Sequence, residues 1–333
     1  MLKTATRHFV LADVLPNYVQ RANEFESYIF NSMIGKTKTQ TTEWAVARLN
    51  YAEPWEHFLV KSLKPFVNSM VQAGIVERYF WQRGYDKGAH ILLTMRAETQ
   101  TLFELILPCL NEHFYHYVED LPSSRPHENP DFEPNDSIQT AVYQPDIEEW
   151  GGEIAMPIIE RFRQNSSDAV LSFMAVNAEK WTSVEALATA FELNLGFADT
   201  AGMNREEAIQ FFDFCLMRHA KESFSLQLFE YIFKRQEKPL LEFTNKLWKS
   251  LKKGTLFKER YYNKYLENAY YTSEDLKLTF RNRSLEVEPK FSSLWTLYAK
   301  LLGETNLRLG LRGRHELLLY YAIFRSLEKV EGE

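Results

Sequence analysis

The chain is poor in the residues and motifs that most cofactor chemistries need. Only two cysteines occur in 333 residues, Cys109 and Cys215. They lie far apart in a long chain, which indicates neither a disulfide framework nor a zinc site. The eight histidines are scattered; His113 and His116 form the one close pair, without the further ligands that a metal needs. There is no GxGxxG or GxxxxGK[ST] phosphate loop, no HExxH, no CxxC and no GxSxG elbow. No run approaches the ~18 apolar residues of a membrane span. The opening MLKTATRHFV lacks the apolar core of a signal peptide, so a cytoplasmic location is expected. A net charge of −6 argues against a general nucleic-acid binder. The expectation is a protein that works without metal, nucleotide or other cofactor, with no nucleic-acid or membrane partner.

What is present describes an ordinary globular chain, 45% hydrophobic and 25% charged. It is long enough to bury a large core as two lobes or one big domain. The 24 Phe, 17 Tyr and 7 Trp supply core, and they also suit the walls of a cleft for a large substrate.

Residues 55–74, WEHFLVKSLKPFVNSMVQAG, carry apolar residues at helical spacing and end at Gly74. IVERYFWQRGY and AHILLTMRAE (75–85 and 89–98) predict two strands joined at DKG, a hairpin signal. TQTLFELILPCLNEHFYHYVED returns to helical spacing. The segment 121–136 holds four of the twelve prolines and reads as a loop, the expected mobile segment of the first half. SIQTAVYQPDI resumes as a strand, expected to end near Ile147 in the same sheet as the hairpin. From EIAMPIIERFRQ onward the pattern is almost wholly helical. The fold class expected is therefore α+β, with an antiparallel sheet built mainly from the N-terminal half and packed on a helical C-terminal half. A sheet-containing lobe over about 1–155 and a helical lobe over about 156–333 together make one unit.

Charge is unevenly spread. Residues 119–160 carry eleven acids against one Arg, whereas 234–264 carry ten Lys/Arg against three Glu. The bland reading of the basic stretch is a solvated helix face with its apolar side in the core. The sharper one is a docking surface for an acidic peptide, with Lys249, Lys252 and Lys253 as candidate contacts. RNA is a weaker third reading.

Order along the chain is more informative than any single motif. RYFWQRGYDKGAHILLTMR (78–96) resembles aromatic–aromatic–x–Arg–Tyr–x–Asp followed by His–Leu–Arg–Leu–Arg. YQPDIEEWGG resembles Tyr-x-x-Glu-(Ile/Val)-Glu-Arg-Tyr-Gly-Gly, and ERFRQNSSDAVL resembles Phe-x-x-Asp-Ser-x-x-Val-Leu. SSLWTLYAKLLGETNLRLGLRGRHELLLYYAIFRSL (292–327) resembles a His-x-x-Asn-Arg-Leu-x-Gly helix followed by a Glu-containing terminal helix. Together these resemble the C-terminal, elimination-type domain of lantibiotic dehydratases, which also occurs as free-standing thiopeptide biosynthesis proteins of about this size.

The departures narrow what the resemblance implies. In the family's elimination enzymes, arginines hold a glutamyl ester and a histidine assists proton removal. Here His90 is retained, but the two Arg positions after it read Leu92 and Thr94. The Arg before the aromatic–Gly–Gly reads Glu149, and Leu302 and Glu304 stand where family histidines sit. Leu and Thr offer a carboxylate substrate no charge partner, and Glu repels it. The sister branch of pyridine synthases fits these losses better. It joins two dehydroalanines of a modified peptide in a formal [4+2] aza-cycloaddition, after which water and the leader peptide leave. That chemistry needs proximity and a proton donor–acceptor.

By this resemblance the catalytic candidates are Tyr298, as proton carrier, and Ser292, with Ser293 competing for its place. Trp81, Arg83, His90, Trp295 and Glu304 are candidate substrate contacts. Core packing is the ordinary alternative for both Trp and for Tyr298. Gly151 and Gly152 serve backbone geometry. The partner implied is a dehydrated, azole-containing precursor peptide with its leader, alongside other biosynthetic enzymes, and a homodimer is an assembly open to it. The alternatives are a glutamate-elimination subunit of a split dehydratase and a non-catalytic peptide-binding member of that machinery.

Overall fold

The computed structural model describes residues 41–123, 131–176, 181–218, 226–254, 260–283 and 291–330. Thr42–Glu333 cluster as one compact unit. Four strands, β1 (Thr42–Asn50), β2 (Arg78–Gly84), β3 (His90–Glu98) and β4 (Ser137–Val142), form one antiparallel sheet in the order β2-β3-β1-β4. The hairpin turns at the expected DKG, where Lys87 (φ 51°) and Gly88 (φ 105°) take up positive φ. The central strand β1 is not among the strands read from the sequence. It is nonetheless an alternating segment, with Ala45, Ala47 and Leu49 turned into the core.

Two long helices come from this half. The first, α1, runs through Glu56–Phe58, a π-helical turn at Leu59–Leu63 and Lys64–Gln72. The second, α2, runs through Thr99–Thr101, a π-helical turn at Leu102–Ile106 and Leu107–Asp120. In each, a proline (Pro65 or Pro108) stands at the second position after the π turn. Proline removes one backbone N–H and crowds the carbonyl four residues back, and the widened turn accommodates it. Phe58 of α1 meets Phe114 of α2 edge to face at 5.8 Å, and one face of the sheet (Ala45, Ala47, Leu49, Ile91, Leu93, Met95) is fully buried on this side.

β4 ends at Val142, short of the expected Ile147. Pro145 lacks the donor a ladder requires, and the chain turns instead into a 3-10 helix at Glu148–Trp150. Gly151 and Gly152 follow with φ 89° and 85°. A Cβ on Gly151 would stand 3.2–3.3 Å from Ala155, Leu297 and Phe280, so both conformation and space favour glycine there. The 121–136 loop is tied at its ends: Ser123 binds the Asp136 carboxylate through N–H and hydroxyl, and the Ala52 N–H donates to Ser123 Oγ. Residues 124–130 lie outside the described part.

The second half is helical as expected: α3 (Met156–Val176), α4 (Ser183–Thr200), α5 (Arg205–Arg218), α6 (Leu226–Lys252), α7 (Arg260–Arg283), α8 (Phe291–Leu309) and α9 (Arg314–Lys329). It joins the sheet along the edge strand β2, which packs on α3 and α8. There the Trp81 N–H donates to Ser167 Oγ of α3 at 3.1 Å, and Arg308 Nε of α8 donates to the Trp81 carbonyl at 2.6 Å. Side chains thus satisfy backbone groups that an edge strand leaves open.

Candidate functional site

Residues directly opposed across antiparallel strands project to the same face. The register pairs Phe80 and Val46 with Thr94, Gln82 and Arg48 with Leu92, and Arg78 and Trp44 with Arg96. These residues form the second face of the sheet, on which Trp44, Val46, Arg48, Gln82 and Leu92 are only half-buried. Leu92 and Thr94, where the family pattern has arginines, lie at its middle.

Helices α3 and α8 and the segment after β4 close over this face through Arg163. Arg163 is 5% exposed and forks onto Glu304, with Nε to Oε2 at 2.9 Å and Nη2 to Oε1 at 2.7 Å. Its Nη1 donates to the Tyr143 hydroxyl at 2.9 Å. Its guanidinium stacks over Trp150, 4.3 Å from the ring centre, with Phe80 at 5.4 Å. Trp44, Phe80 and Tyr143 form an aromatic trio with ring centres 5.3–5.8 Å apart. Lys300 adds an ion pair to Glu149 at 2.8 Å and lies 5.2 Å from the Trp150 ring centre. All four motif segments named from sequence therefore meet at one sheet face.

The electrostatics follow from burial and pairing. Burial pushes the Glu304 carboxyl up, but Arg163 and Arg308 overcome it and hold the group below the usual carboxylate range. Burial draws Arg308 down to about 10 against the pull of Glu304. Burial pushes Tyr143 up to about 12, with Arg163 opposing, so this hydroxyl is neutral at pH 7. Burial also raises Glu160, against the charges of Arg96, Arg163 and Arg78.

Among the sequence-derived candidates, Glu304 is committed to Arg163. His90 closes one end of the face: it is fully buried, its Nδ1–H donates to the Gly88 carbonyl at 2.8 Å, and its Nε2 stands 3.5 Å from Asp86. Burial holds it below the ordinary histidine value. Arg83 and Trp81 belong to the opposite face of β2. Arg83 is 5% exposed, donates to the Arg308 carbonyl at 2.9 Å and to Glu56 at 3.1 Å, and stacks 5.2 Å from the Trp55 ring centre. Trp81 is fully buried.

Tyr298 and Trp295 lie away from the sheet, because α8 turns Lys300, Glu304 and Arg308 (four residues apart) toward it. Tyr298 is 2% exposed, packs edge-on against Phe197 of α4 and Phe211 of α5, and donates to the Ser273 carbonyl at 3.4 Å. Burial raises its pKa well above the ordinary tyrosine value. Trp295 packs against Phe211 and Phe214. The side chains of Ser292 and Ser293 lie outside the described residues. The basic stretch divides between α6 and the start of α7; Lys249, Lys252 and Lys253 are all exposed, and Lys252 also binds Asp199 at 2.8 Å and the Met203 carbonyl. Sequence reading missed Tyr143 and Arg163.

Comparison with known proteins agrees with this convergence. The model of the family described as lantibiotic biosynthesis dehydratase C-term matches residues 44–327. The chain belongs to this family. Among solved structures it is similar to the pyridine synthase TbtD from thiomuracin biosynthesis, with a TM-score of 0.67 and 14% identity over 85% of this chain and 97% of that one. It is also similar to the tRNA-dependent lantibiotic dehydratase MibB from Microbispora sp. 107891, with a TM-score of 0.61 and 16% identity over 87% of this chain and 28% of MibB. TsrL gives a TM-score of 0.58 at 13% identity, over 87% and 95% of the two chains. At these identities the likeness establishes the shared fold. No curated protein matches the sequence. Among the described residues no helix is long and apolar enough to cross a membrane, and no three His, Cys, Asp or Glu side chains are grouped to hold a metal.

Proposed function

We propose that this family member is a pyridine synthase of thiopeptide type, acting on a dehydrated, azole-bearing precursor peptide at the half-open sheet face. Family membership supports a biosynthetic enzyme of the peptide-modifying kind, and TbtD, whose fold it shares, is a pyridine synthase. The observation that carries the finer reading is the state of the cations on this face. Arg163 is paired with Glu304, Arg48 with Asp86, and Arg96 with Glu77. A glutamyl carboxylate would have to displace an existing partner at each of these, which leaves Arg78 as the arginine of this face without an ion pair among the described residues, and the positions that carry family arginines are Leu92, Thr94 and Glu149.

The aromatic walls suit a different task, the folding of a long peptide so that two distant alkenes meet. Most of the barrier reduction then comes from orientation. Tyr143 is the proton carrier in this reading: its hydroxyl accepts from Arg163 and keeps its own hydrogen for the substrate amide. Tyr298 remains the carrier suggested by resemblance, at a position walled off by Phe197 and Phe211. Incubation with the dehydrated peptide should produce the pyridine chromophore and free leader in equal amounts by liquid chromatography. Leader retained on an unchanged peptide would count against the proposal.

A further inference from the structure

A cavity of about 300 Å³ lies on the other side of the β2 edge, between α1, α3 and α7. Two lysines from different helices line it, Lys64 and Lys264, with Asp168 beside them. The Tyr79 hydroxyl donates to Asp168, and Lys264 stands 3.9 Å from the same carboxylate. With Asp168 ionised, Lys64, Lys264 and Asp168 leave the cavity one positive charge in excess. Lys64 is half-buried, and its one hydrogen bond is a stretched contact of 3.5 Å to the Leu171 carbonyl. It has no carboxylate within salt-bridge distance among the described residues. Burial accordingly draws its pKa down. An ammonium offers three donors, so this one has capacity that the protein leaves unfilled.

Four of the other polar side chains that line it are uncharged amides. The side chains of Asn68 and Gln72 from α1, and of Gln164 and Asn165 from α3, line the cavity and form no side-chain hydrogen bond among the described residues. Side-chain amides donate and accept at once, as peptide groups do. The volume sits at the small end of ligand pockets, enough for one side chain with its flanking backbone. Lys264 is also the last cation of the basic stretch 234–264.

We propose that this cavity holds one acidic residue of a bound peptide, its carboxylate between Lys64 and Lys264 and its flanking backbone on the surrounding amides. The choice of a peptide rests on the peptide-modifying reading above; the carboxylate specificity rests on the cavity alone.

The test is direct binding of a blocked pentapeptide with one central glutamate among alanines, measured by ligand-observed NMR at low ionic strength beside its glutamine counterpart. It contains no dehydroalanine, so its outcome is independent of catalysis. The glutamate peptide should bind at least tenfold tighter than the glutamine peptide, and more tightly than glutarate. Lys64→Met and Lys264→Met should each remove most of that preference, while Lys61→Met on the same helix keeps it. Lys264 is largely exposed, so its variant will fold even if Lys64→Met does not. Equal binding of the two peptides, or an undiminished preference in Lys264→Met, would overturn the assignment. Glutarate binding as tightly as the peptide would overturn the role given to the amides.

Discussion

Arg163 and Glu304, 141 residues apart in sequence, hold each other in a two-bonded fork over the face where the family motifs meet. Both are largely buried, at 7% and 14% side-chain exposure. Removing one partner from such a pair strands the other charge, which costs about 3–5 kcal/mol. Glu304→Gln should therefore lower unfolding stability by that order in urea. The double variant Arg163→Met/Glu304→Gln should recover at least half of the loss. Additive losses would show that the two residues act separately.

The same pair sets an acid limit. The folded-state pKa of Glu304 lies below its unfolded value. Its stabilisation is thus complete above the unfolded carboxylate pKa, about 4.3, and is lost as pH falls through the lower folded value. Between pH 5 and pH 2 the wild-type stability should fall more steeply than that of Glu304→Gln. Parallel curves from chemical denaturation would contradict this linkage.

Gly84 is fixed by His90. A Cβ there would sit 1.9 Å from His90 Nε2, so the buried ring must move. Gly84→Ala should cost about 1–3 kcal/mol as an overpacking change. In a His90→Ala background the same substitution should cost much less. Equal costs in the two backgrounds would place the strain elsewhere.

The proposed proton role of Tyr143 and the buried position of Tyr298 predict opposite outcomes for their Phe variants. Tyr143→Phe should slow turnover by ~10²–10⁴-fold, the range for a lost acid–base group, with peptide affinity little changed. Tyr298→Phe should lose about 0.5–1.5 kcal/mol of stability with the Ser273 bond and keep near-normal turnover. The reverse ranking, in folded variants, would return the proton role to Tyr298.

Leader docking on the basic stretch should weaken with salt, because exposed charges are screened beyond about 8 Å at physiological ionic strength. The variant to use is Lys249→Glu/Lys253→Glu, which leaves the Lys252–Asp199 pair in place. Lys252→Glu would also set a carboxylate against Asp199 and confuse docking with folding. Unchanged affinity in the double variant would assign the stretch to a solvated face.

Much of the sheet was legible because its signals are local. The DKG turn, the alternation on either side of it and the helical spacing of 55–74 each fix an element within a few residues. β1 escaped because its core face is built from Ala45, Ala47 and Leu49, with no β-branched or aromatic residue to give a strong strand signature. The early end of β4 was announced by Pro145. The motif segments were found in order, but their convergence is tertiary. Sequence could not tell that α8 turns Glu304 to the sheet and Tyr298 away, because both lie on apolar helix faces. Arg163 could have been noticed. It sits among Phe162, Ser166 and Val170 at helical spacing, and a cation on a core-facing stripe requires a buried partner.

The most direct test is mass spectrometry of two incubations with purified protein. One contains the dehydrated, azole-bearing precursor peptide; the other contains the same peptide still glutamylated at its serines and not dehydrated. Only the first should be converted, to a ring-closed core lighter by one water and separated from its leader. Loss of glutamate from the second peptide, with the first unchanged, would contradict it.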